Sequence, residues 1–156
     1  MPNTEKLAMD LVYLCQLDID AAIAYEQALS HIDHPVVRKR FQEFRDDHAR
    51  HMTDIGQQIG DLGMNPPKRP VDAKGFLLAE LMDLSSVRTL KDTLEAMDKN
   101  EKIINKIYSD ASTGWPDLVP NALDTVRTGF QDEKKHLEFI EQCIEAKVWE
   151  HADAVK

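Results

Sequence analysis

Residues 7–28 read LAMDLVYLCQLDIDAAIAYEQA, and residues 90–111 read LKDTLEAMDKNEKIINKIYSDA with the same spacing of apolar and polar positions. Apolar residues recur every three or four positions in both stretches, which is the period of an amphipathic helix. The constant shift that carries Leu7 onto Leu90 aligns the two stretches without a gap. The aligned positions are Leu7, Leu11, Leu14, Asp18, Ala21, Tyr25 and Ala28 in the first stretch and Leu90, Leu94, Met97, Glu101, Ile104, Tyr108 and Ala111 in the second. We therefore predict two related helices, each with one acid and one tyrosine on its apolar face.

A second repeat follows each of these stretches, and its constant shift carries Val37 onto Ala122. The aligned positions are Val37, Phe41, Phe44, His48, His51, Ile55 and Ile59 in the first half and Ala122, Val126, Gly129, Glu133, His136, Ile140 and Ile144 in the second. The spacing is again helical, and the small difference between the two shifts falls in the connecting loop. The chain is predicted to be two related helical hairpins with a pseudo-twofold relation.

Composition supports one all-α domain spanning residues 1–156, because only 6 glycines occur and most of the 7 prolines fall at junctions. The net charge of −9 argues against nucleic acid or an anionic membrane as the main partner. Lys6 and Asp10 interrupt the apolar run that an export signal would need. The 2 cysteines fit a reducing compartment. We therefore expect a cytoplasmic chain without a membrane partner.

Four long helices are expected at about 4–32, 35–62, 85–111 and 121–149, with a short amphipathic helix at 76–84. The first turn is short, so helices one and two form an antiparallel hairpin. The proline-rich stretch 63–70 cannot continue a helix and is expected to be extended. This pattern is typical of a four-helix bundle with a long crossover between helices two and three.

Six acids and imidazoles stand where the helices should bury apolar side chains. Antiparallel pairing brings them level near the middle of the bundle. One buried polar residue on such a seam would simply fix the register of the helices. Six at matching heights favour a metal centre, because buried charges are costly unless they are compensated. The candidate metal ligands are Asp18, His48, His51, Glu101, Glu133 and His136.

These residues resemble the ferritin-like superfamily, especially its rubrerythrin-like branch of di-iron carboxylate proteins. That family places one acid on each of helices one and three and a Glu-x-x-His motif on each of helices two and four. Glu133-Lys134-Lys135-His136 matches the motif literally, and Asp18 and Glu101 match the single acids. His48-Ala49-Arg50-His51 departs from it, because a histidine stands where the bridging glutamate belongs. The resemblance implies about two iron ions per chain and a homodimer, while manganese or zinc would suit the same donors.

The histidine at position 48 changes what the family pattern implies. It removes one expected carboxylate bridge, and three carboxylates balance only three of the four charges of two ferrous ions. An added oxygen bridge, a single metal or an unequal pair of metals all stay open. Asp47 is a candidate substitute, but it lies about 100° around the helix from His48 and is expected beside the site or on the surface.

Two further features of the apolar stripe bear on function. Tyr25 and Tyr108 are interpreted either as core aromatics whose hydroxyls find a local partner or as residues that support the metal centre or its redox chemistry. Gly129 aligns with the level of Tyr108. A glycine inside a helix costs about 1 kcal/mol relative to alanine. We hypothesise that Gly129 opens a path for dioxygen or peroxide.

The resemblance implies a non-haem di-iron protein that reacts with dioxygen or hydrogen peroxide, in iron handling or in oxidative-stress defence. The corresponding enzyme would be a ferroxidase or a peroxidase-type oxidoreductase. The alternative is a helical interaction or structural protein whose metal site is structural or vestigial. An oxygen-carrying hemerythrin is disfavoured, because its His-x-x-x-Glu and His-x-x-x-His spacings are missing from the seam.

Overall fold

A computed structural model describes residues 3–68, 76–115 and 118–156 of the chain. These residues contain four α-helices, which are α1 (Thr4–Leu29), α2 (Pro35–Asp61), α3 (Leu90–Gly114) and α4 (Pro120–Glu145), followed by a 3₁₀ turn at Ala152–Ala154. They pack as an all-α bundle with a long connection between α2 and α3, which confirms the predicted fold class.

The helices begin where the sequence supplies capping groups. The side chains of Asn3 and Thr89 each accept the backbone N–H three residues on, at 3.1 and 3.0 Å. His34 does the same for α2 at 3.3 Å, and Pro35 occupies the first helical position. Each cap satisfies a backbone donor that has no partner within the helix. Pro120 opens α4 without a side-chain cap, since its missing N–H leaves one donor fewer to satisfy.

The segment 76–89 corrects the prediction of a short helix at 76–84 and of a third helix beginning at 85. It consists of bends and turns, and α3 begins only at Leu90. Asp20 on α1 accepts the backbone N–H groups of Leu77 and Leu78 at 2.5 and 2.7 Å. These two N–H groups would have no partner inside a helix that began at residue 76, so Asp20 anchors the start of the segment to α1. The N–H groups of Met82 and Leu84, which a helix at 76–84 would satisfy internally, bond to side chains of α3 and α1 instead. We call residues 76–89 the crossover strap.

Polar side chains on two helices hold this strap against the bundle. Gln27 on α1 accepts the N–H of Leu84 at 2.8 Å, and Asn100 on α3 both accepts from and donates to the backbone of Met82. Asn100 is fully buried, so its amide is satisfied by the strap rather than by water. The predicted extended stretch 63–70 is described only as far as residue 68, and residues 69–75 lie outside the described part of the chain.

The bundle interior has two apolar clusters with a polar layer between them. α1 packs chiefly on α2, and α3 packs chiefly on α4. The first cluster includes Tyr25, Phe41, Phe44, Met97 and Ile140, and the second includes Leu11, Leu14, Ile55, Ile104 and Val126. As far as the structure describes the chain, none of the helices combines the length and apolar character that a bilayer crossing requires. The apolar faces instead pack against each other and enclose the polar layer.

Candidate metal centre

The structure brings all six candidate ligands together in the polar layer. They come from all four helices, and five of them are at most 1% exposed, while His51 is 4% exposed. Their nitrogen and oxygen atoms form two overlapping groups of four, with the ligand atoms of each group within 4.8 Å of one another. Group one is Asp18, His48, His51 and Glu133, and group two is His48, Glu101, Glu133 and His136.

Group one has the spacing of atoms that share an ion. Oδ1 of Asp18 lies 2.8 Å from Nδ1 of His48 and 3.2 Å from Nδ1 of His51. Oε1 of Glu133 lies 3.4 and 3.2 Å from the same two nitrogens. Ligand atoms about 2.0–2.2 Å from one ion are about 3.0–3.6 Å from each other. The four side chains are therefore placed to hold one cation.

Group two has a similar arrangement and is formed by side chains of α2, α3 and α4. Nδ1 of His136 lies 3.2 Å from Oε2 of Glu133 and 3.4 Å from Oε1 of Glu101. Nε2 of His48 lies 3.6 Å from the same Glu101 oxygen. Glu133 thus presents one oxygen to each group, and His48 presents one ring nitrogen to each.

Several buried polar atoms at this centre have no hydrogen-bond partner among the residues that the structure describes. They are Nε2 of His48, Oε2 of Glu101, both carboxylate oxygens of Glu133 and Nδ1 of His136. A buried polar group without a partner costs about 1–3 kcal/mol. A divalent cation would satisfy these atoms, and a mixed set of carboxylate and imidazole donors suits first-row metals. The residues present therefore fit a metal centre.

Burial alone would lower the pKa of the three imidazoles of the centre, but the neighbouring acids raise it. Burial alone would lower the pKa of His48, but Glu133 and then Asp18 outweigh it and raise that pKa from 6.5 to about 9. Burial likewise opposes charge on His51, whereas Asp18 and Glu133 raise its pKa to about 11. The pKa of His136 is raised for similar reasons. Burial would raise the pKa of Asp18, but the facing histidines lower it. In the metal-free protein, protons thus supply the positive charge that a cation would bring.

Two aspartates hold the outer nitrogens of two imidazoles. Nε2 of His51 is 2.9 Å from Oδ2 of Asp132, and Nε2 of His136 is 2.8 Å from Oδ2 of Asp47. Arg50 donates to both aspartates. Each aspartate therefore orients an imidazole of the opposite helix so that Nδ1 faces the centre. The carboxylate of Asp47 is engaged at the outer edge of group two and does not replace the missing bridge.

Asp132 is the site residue that the sequence reasoning missed. The signal was available, because the same shift that aligns His48 with Glu133 also aligns Asp47 with Asp132. The two aspartates lie one residue before the apolar stripe, so the spacing of the stripe alone does not identify them. Repeated polar residues beside a predicted site can therefore identify the groups that orient its ligands.

Each of the two tyrosines contacts the single acid of the other half of the chain. The hydroxyl of Tyr108 on α3 donates to Oδ2 of Asp18 on α1 at 2.5 Å. The hydroxyl of Tyr25 on α1 donates to Oε1 of Glu101 on α3. Burial and then the adjacent carboxylates raise the pKa of both phenols. Both tyrosines are therefore neutral hydrogen-bond donors that fix the acids, and the partner of each hydroxyl is a candidate ligand.

Access to the centre differs between the two halves. A cavity of about 200 Å³ beside group one is lined by residues that include His51, Tyr108 and Gly129. Phe44 occupies the position equivalent to Gly129 beside group two, and its ring centroid lies 4.2 Å from that of His136. Phe139 packs on Phe44 at 5.7 Å. One side of the centre is thus closed by aromatic rings, while the other side has a cavity.

The glycine at position 129 is required by the packing of Tyr108. A Cβ atom added there would lie 2.7 Å from Cε1 of Tyr108, which is closer than two carbons approach. The predicted alignment of Gly129 with the level of Tyr108 is therefore confirmed. Its role as a path for an oxidant stays a prediction.

The fold and the site together define an all-α four-helix bundle with buried carboxylate and histidine clusters suited to two metal ions, consistent with a ferritin-like fold. The chain belongs to the family described as Domain of unknown function (DUF2383), whose model matches residues 7–114. The matched part contains Asp18, His48, His51 and Glu101, whereas α4 lies beyond it. No curated protein matches the chain.

Proposed function

We propose that this protein is a non-haem dimetal protein of the ferritin-like superfamily, similar to its rubrerythrin-like branch. It binds about two iron ions per chain and reacts with dioxygen or hydrogen peroxide, in iron handling or oxidative-stress defence. The observation that carries the proposal is the pair of overlapping four-residue groups built from buried carboxylates and imidazoles. By the same resemblance we expect one ferritin-like domain that forms a homodimer, and the sequence favours the cytoplasm.

The proposed ligands divide between two ions. Asp18 and His51 belong only to group one, and Glu101 and His136 belong only to group two. Glu133 and His48 belong to both. Oxygen and nitrogen donors suit iron and manganese, and zinc is a third metal that this set accepts.

The chain contributes orientation, exclusion of water and access. Bound ferrous iron would supply electrons to an oxidant. The tyrosine hydroxyls hold the two acids, and Asp132 and Asp47 hold the outer imidazole nitrogens. The apolar clusters on either side keep bulk water from the polar layer. The cavity at Gly129 gives a small oxidant a route to His51 on the open side.

Anaerobic titration of the metal-free protein with ferrous iron tests this proposal, with oxygen or peroxide added afterwards while the visible spectrum is recorded. We expect about two irons per chain and oxidation at least about tenfold faster than in buffer. The matched control is Asp46→Asn on the exposed surface of α2, which should behave as wild type. Binding below one iron per chain, with no faster oxidation, would refute the proposal. Tightly bound zinc that leaves peroxide unreacted would indicate the structural alternative.

Asp132→Asn should weaken metal binding without removing a proposed ligand. The amide cannot accept from His51 and Arg50 as a carboxylate does, so the imidazole loses its fixed orientation. Loss of such a supporting group typically costs about 10–100-fold in metal affinity. Competition with a chelator of known zinc affinity measures the change, again with Asp46→Asn as the control. Equal affinities of Asp132→Asn and wild type would show that Asp132 has no positioning role.

A further inference from the structure

The ring of His48 lies between the two groups with one nitrogen facing each. We propose that His48 binds both metal ions, one through Nδ1 and the other through Nε2, and so replaces the carboxylate bridge that the family pattern places at this position. The inference rests on the proposed dimetal function. A terminal histidine ligand binds one ion through one nitrogen, whereas His48 would bind two ions through both.

The two nitrogens of the His48 ring lie near acids of different groups. Nδ1 of His48 lies 2.8 Å from Asp18 and 3.4 Å from Glu133, both in group one. Nε2 lies 3.6 Å from Glu101 in group two. The ring of Tyr25 lies alongside, with centroids 5.6 Å apart and an interplanar angle of 29°, and limits rotation of the imidazole. The ring is therefore held with its two nitrogens toward different groups.

The other two histidines of the centre show the contrast. His51 and His136 each direct Nδ1 inward and have Nε2 bound to an aspartate at the outer edge. Nε2 of His48 has no hydrogen-bond partner among the described residues, and the side chain is fully buried. A buried ring nitrogen without a hydrogen-bond partner is costly unless another group satisfies it. In His48 both nitrogens are available to the centre, and in the other two histidines only one is.

The charges of the ligands and of the two ions also favour a bridging His48. Two divalent ions carry four positive charges, and Asp18, Glu101 and Glu133 supply three negative charges. A neutral imidazole has one N–H proton and an imidazolium has two, so binding a metal through both nitrogens releases every N–H proton of the ring to solvent and leaves one negative charge on it. The three carboxylates and this imidazolate then balance the two ions. Neutrality matters here because an uncompensated charge in a buried site is strongly destabilising.

Nitrogen-15 NMR of the full chain with labelled histidine tests the proposal, with Zn²⁺ as the diamagnetic probe. At two Zn²⁺ per chain, we expect one imidazole with both nitrogens at metal-bound shifts and no N–H proton. The rings of His51 and His136 should each keep one N–H, donated to Asp132 or Asp47. The proton-free ring should be missing from His48→Gln and present in the matched control His151→Gln, whose histidine is exposed in the tail.

The variants add a stoichiometry measurement to the spectra. We expect His48→Gln to lose at least about tenfold in affinity for the second Zn²⁺. His48→Glu restores the family residue and should keep both ions. Two bound Zn²⁺ with an N–H on every histidine ring would overturn the His48 bridge and leave the dimetal centre intact. A wild-type chain that binds no metal would refute the proposed function itself. The wild-type spectrum decides the bridge even if His48→Gln does not fold.

Discussion

Glu133→Gln should abolish binding at both groups, with less than one ion per chain under conditions where the wild type binds two. The reason is that its two oxygens face different groups, Oε1 toward His51 and Oε2 toward His136. An amide carries no negative charge and offers one weakly ligating oxygen and one nitrogen that carries hydrogens. Both groups therefore lose the charge of this carboxylate, and one of them also loses its oxygen. Metal content measured on the folded variant after dialysis gives the result directly.

Variants on either side of Glu133 separate this effect from general damage. Asp18→Asn and Glu101→Gln each alter only one group, so each should keep about one ion per chain. Glu138→Gln, on the exposed face of the same helix, is the matched control and should keep two. A Glu133→Gln protein with two ions at wild-type affinity would show that the carboxylate is not shared.

The same substitution should destabilise the metal-free protein. Glu133 is the largest electrostatic contribution that favours the protonated form of His48 and of His136. Removing one partner of a buried ionic network costs about 3–5 kcal/mol. Urea unfolding in the presence of a chelator measures the change in unfolding free energy, with Glu138→Gln as the reference. A loss below about 1 kcal/mol would mean that the remaining acids compensate.

Gly129→Leu should close the cavity beside group one and slow oxidation by about tenfold or more in the metal-loaded protein. The leucine would also meet the ring of Tyr108, and overpacking of this kind costs about 1–3 kcal/mol. Gly60→Leu is the matched control, because a Cβ at that helical position meets nothing within 4 Å. It should leave the oxidation rate unchanged and be neutral or slightly stabilising.

A second variant separates access from displacement of Tyr108. Thr128→Trp places a large ring at the cavity lining from an exposed position, without an added atom beside that tyrosine. Stopped-flow oxidation of the iron-loaded proteins should show both variants slower than Gly60→Leu. Wild-type rates in Gly129→Leu and Thr128→Trp alike would show that the oxidant does not use this cavity.

The sequence was sufficient for the four long helices, to within a few residues at their ends, and for the convergence of the six polar residues, because both depend on local spacing. The two repeats place the acids and imidazoles at common heights on all four helices. Spacing was insufficient for the crossover strap, whose local pattern favours a helix. Asp20 and Asn100, distant in sequence, satisfy strap backbone groups, and periodicity does not register such long-range bonds.

The interpretation of His48 shows a second limit of spacing. By spacing alone, a histidine at position 48 predicts the loss of one bridge, because a terminal ligand is the usual role of an imidazole in this motif. The orientation of the ring depends on its packing against Tyr25 and on which acceptors surround each nitrogen. Those partners come from helices that the spacing within α2 does not describe. The orientation of the His48 ring is therefore seen only in the structure.

Phe44 and Gly129 occupy equivalent positions in the two halves, and they make the two sides of the centre unequal. Two identical hairpins related by a symmetry axis would carry the same residue at these two positions. Both sides of the centre would then be closed, or both would be open. Linking the hairpins in one polypeptide removes that constraint, because each copy can change alone. The covalent connection thus permits directionality: the cavity lies on the side of His51, while the ring of Phe44 packs against His136 on the other side.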